Sequence, residues 1–491
     1  MGETLPLFVP EFNASVVVES RPERLSSDAG ALLLREVEQR LGVMAWLARK
    51  LHDPREPQLI THPLLELLRT HQQLLAQGWR DKDDADPLRY DPVLRLAVST
   101  RRGTGPLMQR APSPDDRPLA KNPAQPDGLA SQPTLSRLVA ACSAEGNRDL
   151  LREALLMTAA RRIKTMRRGH RPRYVTIDVD SLPLEVAGQQ PGAEYNGHYH
   201  ARIFHPLIAA IAEYGDIIDA RLRPGNVHTA DGALGFIVPL LDRVERELCQ
   251  VATVRIDAGF PDEEVLGGLE GRRTGYVARI KTNPVLDRMA EPHLTRPAGR
   301  PPAEPREWLH ELSYRAEAWS RERRVVLVVL ERPGQLLLDY FYLITNLTTE
   351  QMDGAALLEL YRERGTAEGH LGEFKDVLEP ALSSSPRGKR HYRGYVPLKR
   401  YPTIDSFANN EVTLLLNALA YEHMHALREL VARATREGWS LRRLRERILK
   451  VAARVVVHGR RATVCIARSA AGLWEALWGT LRLIRTVEVV T

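Results

Sequence analysis

Cysteine is scarce: Cys142, Cys249 and Cys465 are the only three in 491 residues, far apart and without paired histidines nearby. That excludes a disulfide framework or a zinc site and fits a reducing compartment. No run of about 18 apolar residues occurs, so no membrane-spanning helix is expected. Met1 to Ser15 carries acids and lacks an apolar core segment, which argues against a secretory leader. No internal repeat is evident, which argues against a repeat array. These absences together predict a soluble, cytoplasmic protein.

A hydrophobic content of 43% with regular Gly and Pro punctuation marks a folded chain, and its length suits two or three domains. The net charge of +7 and pI near 9.3 point to an anionic partner, and the distribution of charge matters more than the total.

The most informative stretch is Tyr361-Arg-Glu-Arg-Gly-Thr-Ala-Glu-Gly-His-Leu-Gly-Glu-Phe-Lys375. On one α-helix Tyr361, Arg364, Glu368 and Lys375 fall at about 0°, −60°, −20° and −40°, a single narrow stripe. A carboxylate flanked by cations suits a metal ion beside a phosphate backbone. An Arg364–Glu368 pair alone would be an ordinary surface contact worth ~0.3 kcal/mol. Four residues in one register are far more specific.

Upstream, Tyr174-Val-Thr-Ile-Asp-Val-Asp180 alternates as a strand and puts Asp178 and Asp180 on one face. Strands are predicted at 204–212 and 217–222, then a long helix over 229–249. A fourth strand, 252–257, closes on Asp257-Ala-Gly-Phe-Pro261, and a fifth spans 274–280. Three strands, helix, strand, short helix, strand is the order of an α/β RNase H-like core. In that fold carboxylates come from strand one, the end of strand four and a later helix, the places of Asp180, Asp257 and Glu368.

The spacing Y-x2-R-x3-E-x6-K resembles the catalytic helix of bacterial insertion-sequence DDE transposases. Ser26-Ser-Asp-Ala-Gly30, the segments around 88–92 and 129–137, Gly188-Gln-Gln, Tyr195-Asn-Gly-His, His205-Pro-Leu, Arg223-Pro-Gly-Asn-Val-His228 and Arg255-Ile-Asp-Ala-Gly-Phe260 are similar to one branch, the group numbered thirteen-eighty. The likeness covers nearly the whole chain from about Ser26. It implies a transposase that cleaves insertion-sequence ends and joins the 3′-OH to target DNA. It also implies two Mg2+ ions, with Mn2+ able to substitute, held by Asp180, Asp257 and Glu368. Arg364 and Lys375 would contact phosphates, and Tyr361 would orient the helix or touch the backbone. Double-stranded DNA, a homodimer in the active complex and a nucleoid-associated location follow from the same likeness. Family members usually carry a hydroxyl residue two positions after the first aspartate; Leu182 stands there, so Asp178 stays open as the alternative to Asp180. His228 reads as a structural histidine.

The remaining chain divides around this core. Residues 1–105 read as a helical N-terminal domain for DNA-end binding or dimerisation, with helices over 31–51 and 63–75. Residues 106–172 form a Pro-rich linker and basic connector. They include most of Arg101–Thr134 with its seven prolines, a helix from Gln132 with Thr134 as N-cap, and Arg161–Arg173, where seven of thirteen residues are basic. That basic run reads either as a solvated helix end or as a phosphate contact. The first part of the core spans 173–281. A β-rich insertion occupies 282–348, with strands over 324–330 and 337–346. The catalytic helix, a basic loop and helices fill 349–491. The loop Ser383–Pro402 carries six Lys or Arg, no acid and interleaved tyrosines, and Arg387, Lys389, Arg390 and Arg393 are its expected DNA contacts. Helices are expected over 404–431 and 441–458, with a closing strand at 462–466. A hydrolysing nuclease without strand transfer, or an inactive DNA-binding relic, would share much of this pattern. A two-carboxylate glycosidase is disfavoured by the basic stretches and the stripe.

Overall fold

The computed structural model describes residues 6–20, 23–108, 128–167, 169–186, 190–297, 302–384 and 406–482. Its centre is a mixed eight-stranded sheet, numbered here in chain order: β1 (Tyr174–Ser181), β2 (Leu207–Ile211), β3 (Asp216–Arg221), β4 (Gln250–Ile256), β5 (Gly275–Ile280), β6 (Arg306–Tyr314), β7 (Arg323–Glu331) and β8 (Asp339–Thr345). The spatial order is β6-β7-β8-β5-β4-β1-β2-β3. β1, β4 and β5 run parallel, while β2 and β3 turn back antiparallel on one side and β8, β7 and β6 on the other.

Alternation along β1 separates two faces. Val175, Ile177 and Val179 enter a core with Phe236, Ile237, Leu240 and Leu241 of helix α1 (Ala233–Glu247). Thr176, Asp178 and Asp180 take the other face. The long connection between β5 and the 361–375 segment extends this same sheet. Val326, Val328 and Leu343 of β7 and β8 join Val277 of β5 as an apolar platform, and Leu357 and Leu358 of helix α2 (Gly354–Arg362) sit on it. Burying two leucines there contributes roughly 1.5–3 kcal/mol each, so the added strands seat the helix that carries the stripe.

The N-terminal helices pack with the 30-residue helix Ser406–Thr435 and the segments after it in one core. Ala29 and Gly30 donate backbone hydrogen bonds to Val451 and Leu449. Asp28, fully buried, accepts from Lys450 Nζ at 2.7 Å and Trp79 Nε1 at 3.2 Å. The Ser26–Gly30 motif therefore clamps the two ends of the chain together.

Local departures from the sequence reading have identifiable causes. Gly42, at φ 67°, splits the expected 31–51 helix into Ala31–Leu41 and Val43–Lys50. The helix from Gln132 begins before Thr134, and Ser131 stands at its N-cap position. The expected basic helix over 441–458 ends by Leu449; Ala453–His458 is instead a strand, paired with Arg461–Ile466 and with Leu25–Ser26, because the consecutive β-branched residues Val455, Val456 and Val457 favour extended backbone. Strand β6 and helix Arg468–Leu481 were hidden by a Pro/Arg-rich surrounding and by position near the terminus. Within the basic run Arg161–Arg173, Arg162 is buried against Asp216, and Arg161 donates to the Leu41 carbonyl at 2.6 Å. Residues 109–127 of the Pro-rich arm lie outside the described residues. Among the described residues no helix is long and apolar enough to cross a membrane.

Candidate active site

The parallel pair β1–β4 brings two aspartates together. Arg255 and Asp178 are register partners, so one pleat further along each strand Asp257 and Asp180 stand side by side at the same end of the sheet. Asp180 Oδ1 accepts from the Ser181 amide, and Asp257 Oδ1 accepts from the Gly259 amide, each at 2.8 Å. The second contact closes the turn after β4. A Cβ at Gly259 would meet the Thr229 side chain at 2.8 Å, so glycine is what lets this turn approach the loop after β3.

The two first-strand aspartates differ sharply. Asp178 is buried, and both its oxygens accept from Arg255, at 2.6 and 2.7 Å. Arg255, itself 1% exposed, also donates to the Leu360 carbonyl at 2.7 Å. In an unbroken helix that carbonyl accepts from the Arg364 amide. Here Arg255 meets it at the place where α2 gives way, through Glu363, to α3 (Arg364–Glu373). Arg255 is thus a bolt between the sheet and the kink. Its signal was present in the sequence, since Arg255 precedes Asp257 by two residues just as Asp178 precedes Asp180, but only the register of two strands turns those offsets into a contact.

Downstream of the kink, Arg364 reaches back to the sheet. Its Nη2 lies 2.7 Å from Asp180 Oδ2, and its Nη1 donates to Glu368. The guanidinium is nearly buried, whereas the Glu368 side chain is 56% exposed. The four stripe residues do not share one regular helix: Tyr361 lies in the last turn of α2, Arg364 and Glu368 lie on α3, and Lys375 sits in a wider π-helical turn, Phe374–Leu378. Tyr361 is half-buried, with its phenol raised by burial and by the nearby charges of Asp257 and Glu368. Lys375 makes no ion pair or hydrogen bond to the carboxylates among the described residues. His228 is exposed, and its Nδ1 accepts from the Ala230 amide. Arg387, Lys389, Arg390 and Arg393 lie outside the described residues.

The electrostatics are unbalanced. Burial pushes the Asp180 carboxyl up to about 6; Arg364 opposes the rise, and Asp257 and Glu368 add to it. Burial disfavours the charge on Arg364, yet Asp180 and Glu368 hold its pKa above the ordinary value. Three carboxylates against one guanidinium leave excess negative charge, and all three offer the oxygen ligands that hard divalent cations prefer. In donor chemistry the site fits such an ion. In the arrangement present, no three His, Cys, Asp or Glu side chains among the described residues surround a common point, and the cation between Asp180 and Glu368 is Arg364.

The chain matches the family model described as transposase DDE domain group 1 over residues 8–387 and 394–486. None of the curated proteins matches it. Among solved structures it is similar to a piggyBac transposase synaptic complex with hairpin DNA, at 12% identity and a TM-score of 0.35, over 95% of this chain and 84% of that one.

Proposed function

Because the chain belongs to the transposase DDE domain family, we propose that it cuts the ends of an insertion sequence and joins the freed 3′-OH to target DNA, with Asp180, Asp257 and Glu368 as its catalytic carboxylates. The observation that carries the assignment is the meeting of Asp180, Arg364 and Glu368 from elements 184 residues apart in sequence, beside Asp257. The strand order β3-β2-β1-β4-β5, with β2 antiparallel and β1, β4 and β5 parallel, supports an RNase H-like core. The Y-R-E-K spacing supports the group numbered thirteen-eighty.

Asp180 rather than Asp178 is the first catalytic carboxylate, because Asp178 is buried in a two-point pair with Arg255 while Asp180, more exposed, lies beside Asp257 and shares Arg364 with Glu368. Asp180, Asp257 and Glu368 would hold divalent Mg2+ or Mn2+, which when bound supplies charge stabilisation to the attacking and leaving oxygens of phosphoryl transfer. Arg255 fixes the kink so that Arg364 and Glu368 face the strand ends. Arg364 and Lys375 are phosphate-contacting cations, giving position rather than sequence choice, and Tyr361 lines the same side. The basic loop with Arg387, Lys389, Arg390 and Arg393 adds backbone grip. Double-stranded DNA is the partner, and a homodimer synapses two ends.

The test uses duplexes made from the DNA that borders the coding sequence. Alanine at Asp180, Asp257 or Glu368 should abolish divalent-dependent strand cleavage while end binding persists. Normal cutting by Asp257→Ala would remove it from the site, and cutting by Asp180→Ala but not by Asp178→Ala would move the first carboxylate one pleat back. Cleavage without joining would leave a nuclease, and binding without cleavage a relic.

A further inference from the structure

The carboxylates have a neighbour outside the Y-R-E-K stripe. Residues 197–200 form the tip of a hairpin between strands Glu194–Asn196 and Ala201–Phe204, whose second strand also pairs with Leu184–Glu185, just beyond Asp180. The tip is pinned. Asn196 Oδ1 accepts from the His198 amide at 3.0 Å, and its Nδ2 donates to the Gly225 carbonyl at 2.8 Å. Gly225 lies so close that a Cβ there would strike the backbone of Ile203 and Glu194. His200 adopts φ 53°, reversing the chain.

This geometry sets the Tyr199 ring edge-on to two imidazoles, His198 at 4.8 Å and His205 at 5.8 Å between centroids. His205 is 3% exposed, and its Nε2 is buried without a hydrogen-bond partner. Its backbone is held on both sides, the amide donating to the Arg223 carbonyl and the carbonyl accepting from Arg223 Nε at 2.9 Å. Next to it the Pro206 carbonyl accepts from the Leu182 amide at 3.0 Å, beside Asp180. Arg223 also donates to the carbonyls of His228, Thr229 and Asp231, and Thr229 packs on the Gly259 turn that follows Asp257. His205 therefore sits where the ends of the two aspartate-bearing strands are tied together. Tyr199 stands above it, 37% exposed. Its phenol is raised by burial and then by the charges of Asp180 and Asp257, so the hydroxyl stays neutral within reach of their field.

Carboxylates repel a phosphodiester, and the Arg364 guanidinium that would meet it divides its donors with Asp180 and Glu368. A neutral hydroxyl donor can meet an anionic oxygen without that repulsion. We propose that Tyr199 is a further substrate-contacting residue, its hydroxyl donating to the DNA strand at the phosphate being cut, and that His205 is the positioning residue that holds its ring. This rests on the reading of Asp180, Asp257 and Glu368 as the site of strand cleavage.

The test takes the full-length protein and border-DNA duplexes carrying 5-iododeoxyuridine next to the element junction. Irradiation should crosslink Tyr199, identified by mass spectrometry, in the wild type and equally in the Glu368→Gln protein. Tyr199→Phe keeps the ring contacts, so melting temperature and DNA Kd should hold while single-turnover cleavage falls roughly 10- to 100-fold, the loss of one hydrogen bond to a charged group. His205→Gln should lower the rate less, and adding it to Tyr199→Phe should cost little more. Wild-type cleavage by Tyr199→Phe, or crosslinks confined to other residues, would overturn the proposal even if Glu368→Gln is dead. Cleavage by Glu368→Gln, or none by the wild type, would instead sink the carboxylate reading, and the crosslink would still decide Tyr199.

Discussion

Two carboxylate–arginine clusters in this molecule look alike on paper and are built for opposite ends. At the first, Asp216 and Arg162 pair in the core beside Glu422, all three at most 3% exposed. Burial and the Asp216 charge push the Glu422 carboxyl well above its ordinary range, and Asp216 holds Arg162 above its own despite burial. Arg162 and Asp216 cancel within a site closed to solvent. At the second cluster, Arg364 faces Asp180, Glu368 and Asp257, and the Glu368 side chain is open to solvent. There the charges do not cancel. Closure and neutrality mark a structural pair, whereas an exposed member and surplus charge of one sign mark a place that awaits a ligand.

The sharpest way to break this contrast is to remove one charge from each cluster. Glu368→Gln should cut strand cleavage by roughly a thousandfold or more with almost no change in melting temperature, because an exposed side chain carries little of the fold. Should it unfold the protein instead, the second cluster is structural too. Asp216→Asn should do the reverse. Leaving Arg162 buried without its anion costs about 3–5 kcal/mol, read by denaturant unfolding, with residual cleavage per folded molecule near normal.

A smaller effect concerns Asp180. Burial pushes its carboxyl up to about 6 in the folded protein, from an ordinary value of 3.8. The folded state therefore binds the extra proton between these values, and Asp180's contribution to stability, full below about 4, is lost as pH rises through 6. In the absence of divalent ions, Asp180→Asn should flatten that fall and raise stability at pH 8 by roughly 1–3 kcal/mol, while ending cleavage. Lower stability of the variant at pH 8 would mean that the Arg364 contact outweighs burial.

The cations give the smallest effects. Arg364→Ala should lower rate and DNA grip together, and Lys375→Ala, with its ammonium unengaged by the carboxylates, should be milder and more salt-sensitive. Neutralising Arg387, Lys389, Arg390 and Arg393 should weaken binding to all sequences alike and flatten log K against log salt by up to ~0.9 per lost contact. An unchanged slope would return that loop to plain solvation.

By itself the sequence determined which residues are candidates for the chemistry and in what order most elements run. Period-two alternation placed Asp178 and Asp180 on one face of β1, turn chemistry placed Asp257 at a strand end, and four residues in register singled out 361–375. These are local signals, readable because side-chain direction follows backbone periodicity. The tertiary structure alone decided which aspartate meets Arg255 and which meets Arg364, since Arg255 reaches Asp178 only when β1 and β4 lie in register. It alone broke the stripe at Glu363, where a residue over a hundred positions away, Arg255, holds the Leu360 carbonyl. It also made the strands after β5 a seat for α2 and brought Tyr199 and His205 to the strand ends, contacts that depend on sheet order and on a glycine that lets two backbones touch. A chain's periodicity says where a side chain points; only packing says what it meets there.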